Sequence, residues 1–303
     1  MLELVYHHLS PIAAFLLPYE FSPTVLVVCL LSGWLYYRGL RRLGRRAGWG
    51  ALLFGVGLVS IYVVLQTQVD YYGRFSFFIH RVQHLVLHHI GPFLIAVSAP
   101  APVLAAGLPK AIRSHVVDPL VRSPLIRVPF RVIQQPFAAG FLFVAIIYFW
   151  LVPSIHFYAM LSIPLYNAMN WGMAIDGLLF WWMIFNLRQP GEPDVRHYGV
   201  RMLVLFLVMF PQIVLGAFIA LSTTDLYSIY NLCGRVLPLS VLQEQVLGGL
   251  VTWIPAAMMS VLGALVLLVR WMRVMPTSAS KDINSFQDRW PVANPPRDSL
   301  KIS

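Results

Sequence analysis

The chain has 303 residues, of which 58% are hydrophobic and only 11% are charged. Since an average soluble domain has about 25% charged residues, this composition excludes an ordinary soluble domain and predicts an all-α integral membrane protein. The net charge of +10 does not indicate a nucleic-acid-binding protein, because the basic residues lie in short loops between apolar stretches. The two cysteines, Cys29 and Cys233, are too few for a disulfide framework.

The apolar stretches predict a bundle of seven transmembrane helices within residues 22–274. Residues 1–21 are interrupted by prolines and are too short to span a bilayer, so they are predicted to form an interfacial segment. The predicted spans are residues 22–37, 48–66, the first part of 77–109, 136–153, 165–187, 199–222 and 244–270. The prolines at 92, 100 and 102 are expected to kink or end the third span.

Two further segments lie outside the predicted spans. Residues 110–135 alternate basic and apolar side chains, which predicts an amphipathic segment on the cytoplasmic surface of the membrane. Residues 275–303 are polar and contain several prolines, which predicts a flexible cytoplasmic tail.

The distribution of lysine and arginine predicts the orientation. The loops at 38–46, 110–131, 188–201 and 270–281 are basic, whereas those at 67–76, 154–164 and 223–243 contain two arginines between them. Because basic loops remain on the cytoplasmic side, the N-terminus is predicted to lie outside and the C-terminus in the cytoplasm.

The third span carries four histidines, His80, His84, His88 and His89. Ionisable side chains inside a membrane are costly and mark a functional site by default. Positions i, i+4 and i+8 follow one face of a helix, so His80, His84 and His88 are predicted to form a stripe about 12 Å long at 1.5 Å per residue. His89 points away from this stripe and is interpreted as structural. Neutral imidazoles bind Zn, Cu, Fe and Ni, although buried histidines can also serve as hydrogen-bonding residues between helices.

The predicted topology brings further polar side chains to the outer end of the bundle. The predicted metal ligands are His80, His84, His88 and His156, and the auxiliary residues are Asp70, Met169, Asn170, Met173, Asp176 and Glu244. Thioether and imidazole ligands together favour Cu(I), although methionine is also a common residue of apolar cores. Asp176, a carboxylate within a span, is predicted to orient a histidine ligand.

The remaining histidines are treated separately. His115 and His197 fall on the cytoplasmic side and are excluded, while a contribution from His7 and His8 is left open.

Signatures of hydrolytic and phosphate-binding enzymes are missing from the sequence. It contains no HExxH, no GxSxG and no phosphate-binding glycine loop. Gln212 is interpreted as a hydrogen-bonding residue between helices, without a catalytic role. The protein is therefore predicted not to be an enzyme.

Four stretches resemble the polytopic CtaG-type cytochrome c oxidase assembly factors. The first, HRVQHLVLHHIGPFLIAVSAPAPVLAAGLP, is similar to the family's His-x-x-Gln-His helix and its proline-rich exit. The others are PSIH at 153–156, GLLFWW at 177–182 and QEQVLGGLVTW at 243–253. The chain departs from the family pattern at Asn170, where the family usually has histidine, at Glu244, where it has aspartate, and at Thr252, where it has methionine.

The resemblance implies biogenesis of a haem–copper oxidase in the bacterial inner membrane, with oxidase subunits or other assembly factors as partners. It also implies copper supply to the catalytic subunit, with the family's ligands at His80, His84, His88 and His156. A membrane haem protein for electron transfer is the alternative, since two imidazoles can hold haem. A third hypothesis is a scaffold whose histidines only form hydrogen bonds.

Overall fold

A computed structural model describes residues 19, 21–185, 195–232, 234 and 236–289, with side chains described for all of these except 195–197 and 274–289. Every regular element in this part of the chain is a helix, as the composition predicts. The main helices are α1 (Pro23–Arg42), α2 (Trp49–Gln66), α3 (Gln68–Phe75), α4 (Phe77–Val97), α5 (Ala101–Gly107), α6 (Pro124–Ile133), α7 (Pro136–Leu151), α8 (Pro153–Leu161), α9 (Ile163–Phe185), α10 (Val195–Leu221) and α11 (Val241–Arg289).

Within the described residues, four helical stretches are long and apolar enough to cross a membrane. They are α1, α2, Tyr198–Leu221 of α10 and Val241–Arg273 of α11. Two bent pairs add up to two further spans: α4 and α5 meet at 77°, and α6 and α7 meet at 79°. These four to six candidates indicate a multi-pass membrane protein but are fewer than the seven predicted spans. The predicted fifth span, α9, is not among them, because Asn167, Asn170 and Asp176 lower its mean hydropathy.

The two ends of the bundle carry different side chains. Where α4 and α11 begin, Ser76 Oγ donates a hydrogen bond to the buried Glu244 carboxylate. At the opposite end, the Arg270 guanidinium donates to the carbonyls of Val97 and Phe185, at 3.0 and 3.1 Å. These carbonyls end α4 and α9, so Arg270 caps two helices at once. The first half of α4 therefore lies at the end of the bundle opposite Arg270.

A π-helical turn at Val86–Ile90 interrupts the α-helical hydrogen bonding of α4. Pro92 follows it and lacks the N–H that would bond to the carbonyl four residues earlier, at His88. The His88 carbonyl instead accepts a hydrogen bond from Trp181 Nε1, at 3.3 Å. Pro92 is thus accommodated within α4, and the helix ends at Val97, before Pro100.

The short helix α5 folds back against α1. Gly39 and Gly107 allow this packing, because a Cβ at Gly39 would overlap the Val103 carbonyl and a Cβ at Gly107 would overlap the Leu35 carbonyl. Small residues commonly permit such close approach between membrane helices. The Arg42 guanidinium also donates to the Ala106 and Leu108 carbonyls.

Residues 110–133 form α6 and three short helical segments, Lys110–Ile112, Arg113–Val117 and Asp118–Arg122. Basic and apolar side chains are both largely exposed along this stretch, including Leu125 at 86%. Its placement on a membrane surface stays a prediction.

Parts of the predicted terminal segments lie outside the described residues. These parts are residues 1–18, which include His7 and His8, residue 20, and residues 290–303. The backbone of α11 continues to Arg289, past residue 275, where the sequence predicts the tail to begin. After Pro276 this stretch contains no proline or glycine that would end a helix.

Candidate functional site

Three imidazoles meet at the end of the bundle where α4 begins, and we refer to His80, His84 and His156 as the imidazole cluster. The ring centroids of His80 and His84 are 4.3 Å apart, and those of His80 and His156 are 5.3 Å apart. His80 and His84 are one turn apart on α4, whereas His156 comes from α8. All three are buried, so the structure gathers three of the four predicted ligands in an environment without bulk water.

His80 differs from the other two rings in having no hydrogen bond. Its side chain is fully buried, and neither ring nitrogen has a hydrogen-bond partner among the described residues. The Gly73 backbone lies near the His80 ring, but not in the geometry of a hydrogen bond to either nitrogen. Because buried polar atoms are nearly always bonded, two unbonded nitrogens on one buried ring are unusual.

His84 and His156 already hold hydrogen-bond partners. His156 Nδ1 donates to the Trp150 carbonyl at 3.0 Å, so its Nε2 accepts the proton of the Tyr230 hydroxyl at 2.9 Å. His84 Nε2 donates to Asn170 Oδ1 at 3.2 Å, and its Nδ1 faces Arg81 Nη1 at 3.4 Å. In both rings, therefore, the nitrogen that could bind a metal is occupied by a proton donor.

Burial also determines the charge states of His156 and Tyr230. It lowers the pKa of His156 to about 3, and the positive charge of Arg81 adds to this effect. Burial also raises the pKa of Tyr230. At neutral pH the imidazole is therefore uncharged, and the phenol keeps the proton that it donates to His156.

Aromatic rings close the cluster beside His156. Tyr227 stacks on Phe77 with centroids 4.1 Å apart, and its hydroxyl donates to the Leu151 carbonyl at 3.0 Å. Both Tyr227 and Tyr230 lie within 6 Å of the His156 ring, measured between centroids. These rings cover the His156 side of the cluster.

A buried arginine separates the cluster from α11. Arg81 is 4% exposed, and its Nε donates to Thr252 Oγ1 at 3.0 Å. A guanidinium is permanently charged, so this side of the cluster is positive. An intramembrane arginine is itself a functional signal, and the sequence reasoning gave it no role.

Asp70 is the centre of a polar network beside the cluster. Its carboxylate accepts hydrogen bonds from Gln83 Nε2 at 2.7 Å, Tyr166 Oη at 2.9 Å and Arg74 Nη2 at 2.9 Å. Asp70 is 4% exposed, and the Tyr166 ring lies 6.0 Å from that of His80. The network fixes α3 and α9 against α4 around the cluster.

The fourth predicted ligand, His88, does not join the cluster. It lies in the π turn, where its Nε2 is 3.0 Å from Asp176 Oδ2 and its ring stacks on Phe143 at 4.0 Å. The predicted straight stripe along α4 is wrong at this point, because the π turn changes the helical register between His84 and His88. The Asp176 carboxyl contacts His88, and its role in orienting a metal ligand stays a prediction.

His89 and Gln212 also bond as predicted. His89 Nε2 donates to Gln212 Oε1 at 3.1 Å, which joins α4 to α10. Asn170 contacts the cluster through His84.

The two methionines lie in apolar surroundings. Met169 packs with Ala159 and Tyr166, and Met173 packs in the larger core that includes Leu87. Glu244 is bonded at the start of α4, where it accepts from Ser76 and from the Phe78 backbone.

The described part of the chain contains no group of three or more histidine, cysteine, aspartate or glutamate side chains arranged to hold a metal ion. In the cluster, Arg81 and Tyr230 contact the nitrogens of His84 and His156 that could otherwise bind a metal. Tyr166 and Tyr230, which complete the surroundings, carried no signal in the sequence because they come from distant segments. His115 lies on the exposed stretch before α6, and the side chain of His197 is outside the described residues.

Comparison with known proteins gives one match. The family model described as cytochrome c oxidase caa3 assembly factor (Caa3_CtaG) matches residues 34–274, which is most of the chain. No curated protein and no solved structure matches.

Proposed function

The chain belongs to the cytochrome c oxidase caa3 assembly factor family, and we propose that it holds a copper ion at the imidazole cluster and supplies it to the oxidase. In this proposal the protein is not an enzyme. It binds the metal as cargo and releases it to an oxidase subunit or to another assembly factor.

The proposed topology has seven spans in the bacterial inner membrane. Counting α9 together with the six candidate spans gives this number. Arg42 and Arg270 lie at the end opposite the cluster, and basic residues favour the cytoplasmic side. The cluster would then face the periplasm, with the N-terminus outside and the C-terminus in the cytoplasm.

One observation carries the copper proposal: His80 is fully buried between two imidazoles and has no hydrogen bond to either ring nitrogen. Neutral imidazole is a good ligand for copper. A purely structural histidine at this depth would be expected to have a partner, as His84, His88 and His89 do.

The contacts of the cluster suggest how an ion could be held and released. His80 would bind the ion first. His84 would then give up its contact with Arg81 for the ion, or His156 would give up its hydrogen bond from Tyr230. Each exchange gives up a hydrogen bond, so binding is weakened and release is easier. The nearby Arg81 charge disfavours a divalent ion more than a monovalent one, since repulsion grows with charge. This supports Cu(I) as the cargo.

Copper binding by the purified protein tests the proposal. Full-length protein in detergent would be loaded with Cu(I) under anaerobic conditions, and bound copper per chain would be measured. His80→Ala and His84→Ala are expected to weaken binding at the cluster by more than about tenfold, because even the loss of a partner that orients a ligand costs about 10–100-fold.

The matched control is His115→Ala, which removes an exposed histidine outside the cluster. It is expected to bind as much copper as the wild type. Equal copper in wild type, His80→Ala and His84→Ala would remove the ligand claim and favour the scaffold hypothesis, which the hydrogen bonds of His84 and His156 also fit. A Soret band in the purified protein would favour the haem alternative.

A further inference from the structure

A second pair of imidazoles lies deeper along α4, inside the π turn Val86–Ile90. The rings of His88 and His89 have centroids 4.9 Å apart and planes inclined by 69°. Their exposed fractions are 0% and 3%. We call these two residues the vicinal pair. Single π turns are rare and are frequently found at functional sites.

In each ring of the vicinal pair, the Nε2 atom makes the hydrogen bond that orients the ring. His88 Nε2 lies 3.0 Å from the Asp176 carboxylate, and His89 Nε2 lies 3.1 Å from Gln212 Oε1. Gln212 Oε1 is an acceptor, and so is Asp176 when its carboxyl is ionised; each ring then carries its proton on Nε2 and has a lone pair on Nδ1. Metal-binding histidines are typically held in this way, with the second nitrogen donating to a carboxylate or carbonyl oxygen.

Both Nδ1 atoms are buried and have no hydrogen-bond partner among the described residues. This distinguishes the vicinal pair from the imidazole cluster, where Arg81 and Tyr230 occupy the corresponding nitrogens of His84 and His156. A ring nitrogen binds a transition metal at about 2.0 Å, so two rings whose centroids are 4.9 Å apart can reach a single ion.

Charge and space further limit what the vicinal pair could bind. Asp176 is the acidic group beside His88 and, when ionised, supplies the negative partner that a cation inside a membrane needs. Phe143 stacks on His88 with centroids 4.0 Å apart and lies 5.1 Å from the His89 ring, which leaves little room for a large ligand. Two neutral imidazoles and little space suit a small, soft, monovalent ion.

We propose that His88 and His89 bind one Cu(I) ion through their Nδ1 atoms, at a site separate from the imidazole cluster. Both Nε2 protons stay in place and copper keeps its oxidation state, so binding transfers no proton or electron. The proposal extends the copper-handling role to a second position deeper in the bundle. The vicinal pair would hold Cu(I) without breaking the hydrogen bonds of His88 and His89.

The test measures Cu(I) binding to full-length protein in detergent, with a chromophoric Cu(I) chelator as competitor. The variants are His88→Gln and His89→Gln, because a glutamine amide keeps a donor near the Nε2 position but has no counterpart of Nδ1. Each variant is expected to bind one copper ion fewer per chain than the wild type. The matched control is His80→Ala, which should retain this ion with the X-ray absorption signature of two-coordinate Cu(I).

The outcomes separate this proposal from the function proposed for the imidazole cluster. If His88→Gln and His89→Gln bind copper as the wild type does, the vicinal pair is excluded, even when His80→Ala loses copper. If the glutamine variants lose copper while His80→Ala does not, the vicinal pair stands and the cluster loses its role. X-ray absorption of the copper-loaded wild type provides a check that needs no variant. A spectrum without a two-coordinate Cu(I) component would overturn the proposal.

Discussion

Replacing Asp70 with leucine is expected to lower the free energy of unfolding by about 3–5 kcal/mol, the range seen when one partner of a buried charged pair is removed. The Asp70 carboxylate accepts hydrogen bonds from Gln83, Tyr166 and Arg74 and is 4% exposed. Leucine offers no hydrogen-bond acceptor, so the Gln83 amide and the Tyr166 hydroxyl would lose the acceptor that Asp70 provides in an apolar environment. Unfolding in detergent, followed by tryptophan fluorescence, measures the change.

Two variants serve as controls for this prediction. Asp70→Asn keeps the size of the side chain and one acceptor oxygen, so we expect a smaller loss than for leucine. Asp118→Leu changes an aspartate whose side chain is 44% exposed, and surface substitutions of this kind usually stay within about 0.5 kcal/mol. If Asp70→Leu were as stable as Asp118→Leu, the polar network would not hold α3 and α9 against α4.

Gly177→Ala is the second substitution with a large expected effect. A Cβ at this position would lie 2.9 Å from the Cα of His88 and closer still to its carbonyl oxygen. These are backbone atoms of the π turn, so α9 and α4 would have to separate. Overpacking of this kind typically costs about 1–3 kcal/mol, and it would also pull Asp176 away from His88. We expect a lower melting temperature in detergent.

The matched control lies on the same helix. A Cβ at Gly172 would be 3.4 Å from Ile146 Cδ1, the flexible end of a side chain. Gly172→Ala is therefore expected to be tolerated and can even add stability, because alanine restricts the unfolded chain more than glycine. Equal melting temperatures for Gly177→Ala and the wild type would show that α9 does not pack on the π turn as described.

Much of the architecture follows from patterns that the sequence displays directly. Apolar stretches of about 20 residues predict membrane helices by length alone, and the pairing of His80 with His84 follows from helical periodicity. A carboxylate or an amide inside a span must find a partner, which is why Asp176 and Gln212 were expected to bond to other helices. Their partners proved to be His88 and His89.

Other features depend on structure that no local pattern reveals. The π turn adds one residue to a helical turn, and one residue corresponds to a rotation of about 100°. His88 therefore does not lie on the predicted stripe. Pro92 predicted a distortion of the helix but did not indicate a π turn. Tyr230 reaches His156 from a loop 74 residues away in sequence, and Arg81 donates to Thr252 across 171 positions. Contacts of this range depend on how the helices pack.

The copper and haem content of oxidase isolated from cells carrying His80→Ala tests the central claim most directly. Oxidase from cells carrying His115→Ala, with both variants at wild-type abundance in the membrane, serves as the reference. If the imidazole cluster supplies copper, the His80→Ala cells should yield oxidase with normal haem and a reduced copper content. Oxidase with the same copper-to-haem ratio in both strains would contradict that role.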